Sequence, residues 1–226
     1  MEPKSCYRNQ AIIKRLTLRG QFNKNCPPVY NIHMTQPTPR RLEAFSDGVT
    51  AIAITLLSFE LKVPVLTSDD LQSSILQIID LLPTLLTFIL SFVTIAILWV
   101  NHHQMTAHIK TLNRRIVWSN MLFLMFLAII PFATRVIAEN PYHALSVATY
   151  GFVLFCGSFS FSLTHLLIHM RLNKKLSFHS KLIEISFVGP IVYACAIFSA
   201  FYYVPIAYVL LMIPPLYYFL PKRVKG

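Results

Sequence analysis

Six apolar runs, at roughly 42–63, 82–106, 116–138, 144–169, 182–203 and 204–220, divide this chain, and most charged residues fall between them. Each run is near the length that a helix needs to cross about 30 Å of hydrocarbon. No water is present inside a bilayer to satisfy free N–H and C=O groups, so such a segment must close its own hydrogen bonds as a helix. The pattern predicts an all-α integral membrane protein with six transmembrane helices. Composition agrees, because only 13% of the residues are charged and 55% are hydrophobic, whereas a soluble domain carries about 25% charged residues.

Bases outnumber acids by 20 to 9. In a soluble protein that excess would suggest nucleic acid, but here the location of the bases decides, and no nucleic-acid partner is expected. Lys4, Arg8, Lys14, Arg15, Arg19, Lys24, Arg40 and Arg41 precede the first run. Lys110, Arg114 and Arg115 follow the second, Arg171, Lys174, Lys175 and Lys181 the fourth, and Lys222, Arg223 and Lys225 the sixth. Only Lys62 and Arg135 fall on the other side, where Asp69, Asp70 and Asp80 gather. By the positive-inside rule both termini are cytoplasmic and the protein is a multi-pass component of the cell membrane.

Residues 1–40 read as a basic, largely flexible extension with Pro27-Pro28, Pro37 and Pro39 in its second half, and 41–226 as one six-span domain with a short basic tail. The alternation of Ile12, Ile13 and Leu16 with Lys14, Arg15 and Arg19 also permits a short interfacial helix on anionic lipid. The extension holds no apolar run long enough for a secretory signal peptide. Thr38-Pro39 supplies a helix start for the first span, and Ser68-Asp69-Asp70-Leu71 a capped short helix within 66–81. Cys6 and Cys26 on a reducing side, and Cys156 and Cys195 in spans, are expected as free thiols.

The first span opens with Arg41-Leu42-Glu43-Ala44-Phe45-Ser46-Asp47. An unpaired carboxylate at membrane depth costs about 2.5–3.5 kcal/mol on insertion scales, so Asp47 is expected to find a His, Asn or Arg partner across a helix interface. The second span runs the opposite way and ends with Trp99, Asn101, His102 and His103, at the same depth. The sequence thus predicts an interhelical polar network of Arg41, Phe45, Ser46, Asp47, Trp99, Asn101, His102 and His103. Such a network locks helices together, tunes gating, or takes part in permeation. At 100° per residue Phe45, Ile52, Leu56 and Phe59 fall within about 40° of one line, with Ser46, Asp47, Thr50 and Ser58 opposite. The bulky stripe faces either lipid or a symmetry axis, and a helical wheel does not separate the two.

The Arg41-to-Asp47 pattern, with Trp99-Val100-Asn101-His102-His103, resembles the lysosomal-type potassium channels (the transmembrane protein 175 family) in their shorter prokaryotic branch. The similarity extends over roughly residues 40–220. It implies a potassium-selective ion channel without cofactor, a homotetramer in the lipid bilayer with the first helix lining the pore, and K+ as permeant ion. On this resemblance Ile52, Leu56 and Phe59 form the pore constriction, and Thr55 matches a hydroxyl layer associated with potassium preference. Phe59 is aromatic where the family usually has aliphatic residues, and the basic extension is longer than in typical prokaryotic members.

Two other classes compete. A proton- or cation-coupled secondary transporter would use a buried Asp and His, although no inverted repeat is visible. A haem or di-iron membrane enzyme would draw on His102, His103, His108, His165 and His169, but acidic ligands are sparse. No enzyme is expected. Thr149-Tyr150-Gly151-Phe152 superficially resembles a potassium filter, yet it lies within an unbroken apolar run and reads as helix.

Overall fold

The structure, a computed structural model, describes residues 38–61, 71–79, 81–107, 109, 111–172 and 181–219. The extension up to residue 37 and the expected Ser68-Asp69-Asp70 cap lie outside the described residues. The described residues are helical throughout, apart from turns, and belong to one compact unit, Gln36–Gly226. The helices are α1 (Pro39–Leu57), α2 (Leu71–Ile79), α3 (Leu82–Thr106), α4 (Arg114–Glu139), α5 (Ala144–Leu172), α6 (Lys181–Ala200) and α7 (Val204–Phe219).

Helix α1 starts where Thr38 turns extended and Pro39 fixes the first helical φ. The Thr38 carbonyl takes the first amides, Arg41 N at 3.0 Å and Leu42 N at 3.1 Å, but its hydroxyl makes no capping bond. At the other end the chain tightens into a 3₁₀ turn, Ser58–Glu60. Helix α4 begins at Asn113, whose side-chain oxygen accepts from Ile116 N at 2.8 Å, one of the donors a helix N-terminus leaves free.

Helices α4 and α5 form the centre of the bundle, and α1 and α3 are the least covered of the long helices. Helix α1 lies against α4 and α3; α5 packs on α4 and α6, and α7 on α6 and α3. Leu57, Ile95, Phe123, Leu127, Ile137, Tyr150 and Leu211 are buried in the shared core. Tyr150, from the filter-like tetrapeptide, sits on α5 and shares a hydrogen bond of 2.9 Å with Ser91 of α3, and Thr134 of α4 donates to the same Ser91 at 2.7 Å.

Among the described residues four helical segments are long and apolar enough to cross a membrane: Pro39–Glu60, Gln77–Thr106, Arg114–Glu139 and Ala144–Arg171. The protein is therefore a multi-pass helical membrane protein. The last two expected spans hold shorter apolar helices, Ser186–Ala200 and Val204–Tyr218. Between them the chain turns at Phe201-Tyr202, where Tyr202 N and Tyr203 N both bond the Ser199 carbonyl. Sixteen residues of α7 rise only about 24 Å.

Proline within α6 is accommodated by a neighbour. Pro190 lacks the N–H that would bond the carbonyl four residues back, and that carbonyl, of Ser186, instead accepts the Ser162 hydroxyl of α5 at 2.5 Å. Gly189 lets the same two helices approach closely, for a Cβ there would stand 2.5 Å from Ser158 Oγ.

Candidate functional site: the motif helix and its two faces

The inward face of α1 carries Leu42, Ser46, Thr50, Ala53 and Leu57, all buried. Small residues at every third or fourth position allow α1 to lie close to α4 and α3, as in packed membrane helices generally. The Ser46 hydroxyl donates to Leu42 O at 2.9 Å, and Thr50 donates to Ser46 O at 2.8 Å.

Two separate polar links hold this end of α1 to the bundle. The first is buried. The Asn120 amide of α4 donates to Ser46 Oγ at 3.0 Å, and its carbonyl oxygen lies 2.6 Å from His102 Nε2 of α3. An amide oxygen only accepts, so the Nε2 of His102 carries the proton. Donation therefore runs one way along a single chain, from His102 to Asn120, from Asn120 to Ser46 and from Ser46 to Leu42 O. The His102 ring stacks on Phe123 at 5.4 Å.

The second link lies at the surface of the chain. Trp99 Nε1 donates to Asp47 Oδ1 at 2.9 Å. The Trp99 ring stacks on His103 at 6.0 Å, and His103 Nδ1 lies 3.1 Å from Glu43 Oε1. Asp47 is half-buried rather than sunk in the bundle, and an indole donor with an apolar body suits a carboxylate in such a place.

The expected network is thus assembled in part and differently. Ser46, Asp47, Trp99, His102 and His103 take part, but Asp47 meets Trp99 instead of a His, Asn or Arg. Asn101 turns back to its own helix, donating to Ile97 O at 2.9 Å. Arg41 and Phe45 are exposed and belong to neither link. Ser58 also faces outward and donates to Thr55 O at 2.7 Å. Asn120 and Glu43 complete the links and were not expected. The signal for Asn120 was present: an amide in the middle of an apolar run needs a partner.

The opposite face of α1 is bare. Phe45, Ile52, Leu56 and Phe59 stand in line and exposed, with Ile52 61% and Phe59 79% accessible. Thr55 lies on the same side and donates its hydroxyl to Ile52 O at 2.9 Å. Nothing within the described chain covers this stripe. Among the described residues no three His, Cys, Asp or Glu side chains converge as a metal site would require.

Such a fold and site define a helical membrane protein whose first helix is pinned on one face by polar bonds and left uncovered on the other. The family model described as "Endosomal/lysosomal potassium channel TMEM175" matches residues 41–131, the segment that holds both links. A protein from Chryseobacterium sp. (strain P1-3) named as a potassium channel is 36% identical over 193 residues, which cover 83% of this chain and 96% of that one. A Danio rerio protein named endosomal/lysosomal proton channel TMEM175 is 34% identical over 138 residues, 57% of this chain but 26% of its own length. The crystal structure of a lysosomal potassium-selective channel TMEM175 homolog from Chamaesiphon minutus superposes with a TM-score of 0.70 at 27% identity, covering 80% of this chain and 95% of that chain. This chain belongs to the TMEM175 family.

Proposed function

We propose that the protein is a potassium channel, a homotetramer in the cell membrane with both termini cytoplasmic, in which the exposed stripe of α1 lines the pore. The observation that carries this reading is the stripe itself: a row of large apolar side chains, uncovered by the chain's own packing, on the helix that bears the family motif. The naming of the Chryseobacterium relative, which this chain matches over nearly its whole length, supports K+ as the permeant ion. Four copies of one stripe close a ring around an axis, the ordinary route by which a single surface is covered in a symmetric assembly.

In this arrangement the Ile52, Leu56 and Phe59 rings are the constriction, a dry passage that opens by widening or wetting. Thr55 presents a hydroxyl beside it. The Ser46–Asn120–His102 and Asp47–Trp99 links hold α1 from behind, so that the stripe keeps its angle toward the axis. The alternation of bases supports six crossings, with α6 and α7 as the last two.

A second reading, proton conduction, is favoured by the naming of the vertebrate relatives. Purified protein in liposomes, with K+, Na+ and H+ fluxes measured separately, distinguishes them. The expected result is K+ flux above Na+ flux from a particle of four chains by mass. Folded protein that passes none of the three ions would reject the channel, and a monomeric or dimeric particle would reject the shared pore.

A further inference from the structure

At the end of α1 remote from the motif, the 3₁₀ turn brings Glu60 beside α4. Arg135 of α4 lies 3.8 Å from Glu60 Oε2 and 3.2 Å from Glu139 Oε1, one turn further along its own helix. One guanidinium therefore serves two carboxylates, and it holds the same-helix acid more closely. Glu60 is the more sheltered of the two acids, at 18% side-chain exposure against 44% for Glu139. It follows directly on Phe59, the last residue of the bare stripe. The three charges sum to −1 in each chain.

We propose that this triad sets the entry potential of the channel on the side away from the motif, with Glu60 drawing cations to the mouth and Arg135 limiting that attraction. The proposal rests on the reading of the α1 stripe as pore-lining. It describes a field rather than a binding site, because the guanidinium already engages both carboxylates. Four copies around an axis bring four such triads, each −1, to one mouth, and rings of acidic side chains favour cations in this way. Charges of this kind act over about 30 Å at 10 mM salt and only about 3 Å at 1 M.

The test is single-channel recording in planar bilayers in about 10 mM and about 1 M KCl. Glu60→Gln removes one negative charge per chain and should reduce low-salt conductance for K+ entering from that side by about two- to threefold, with outward flow less affected. Arg135→Gln should raise it by a similar factor. The double variant Glu60→Gln/Arg135→Gln restores the net charge and should move back toward wild type, whereas a purely structural role for the pair would lower conductance in both single variants. All three should converge with wild type in about 1 M KCl. Equal conductance of the single variants and wild type at low salt overturns the proposal. A wild-type protein that carries no K+ overturns the channel reading instead.

Discussion

Replacing Asn120 with leucine keeps the branched outline of the side chain and opens no cavity, so lost hydrogen bonding sets the least cost, to which crowding by the larger methyls adds. The substitution removes both bonds of the buried link, at 2.6 and 3.0 Å. Ser46 loses a donor but still gives its proton to Leu42 O, so its share is small. His102 Nε2–H is left facing an apolar side chain, and an orphaned buried donor costs about 1–3 kcal/mol. Interhelical bonds in membranes average about 0.6 kcal/mol and reach about 1.7. Together these give a loss of about 2–5 kcal/mol, or roughly 30- to several thousand-fold in the folded ratio. Thermal unfolding of the purified protein in detergent, read as loss of the monodisperse peak, measures it. Combining Asn120→Leu with Ser46→Ala should give a loss smaller than the sum of the two, because both break the same bond. A leucine variant as stable as wild type, or strict additivity of the pair, would show that the link does not hold α1.

Ile52→Asn should lower the K+/Na+ permeability ratio in bi-ionic recordings, because an amide holds water where a branched hydrocarbon excludes it; Leu56→Asn should act in the same direction and less. An unchanged ratio in folded Ile52→Asn protein would mean that the stripe faces lipid. Trp99→Phe removes the indole donor to Asp47 and should cost about 1 kcal/mol of stability in the same detergent assay, since the carboxylate remains half-hydrated; an unaltered unfolding temperature would show the bond to be dispensable. Gly189→Ala drives a methyl into Ser158 Oγ and should cost about 1–3 kcal/mol, with Ser158→Ala relieving much of it; no relief would place the strain elsewhere.

The face of α1 that packs was legible at Ser46 and Thr50, because small and polar residues recurring at helical spacing can be read from one segment alone. The identity of their partners was not. Asp47 was expected to find a His, Asn or Arg across a helix interface, since a carboxylate in hydrocarbon needs compensation. Helix α3 presents Trp99 at the edge of the bundle, where water and an indole donor suffice. Asn120 lies 74 positions from Ser46, and no local pattern links two residues on helices separated by another span. The last two helices lie where the sequence draws them, except that the first of them ends at Ala200, three residues early, because an apolar run does not reveal a turn made of aromatic residues such as Phe201-Tyr202. The orientation of the bare stripe lies beyond a single chain altogether, for the surface that would cover it belongs to other copies.

The bond from Ser162 to the Ser186 carbonyl bears on the order in which the protein is made. Alone in hydrocarbon, α6 would carry an unanswered acceptor at the proline step, a defect costing several kcal/mol in the absence of water. Its remedy stands on α5, which precedes it in the chain and so emerges from the ribosome first. Helix α6 is consequently a segment that inserts against a template already present. Moving α5 downstream of it by circular permutation would leave the nascent α6 to enter the bilayer incomplete.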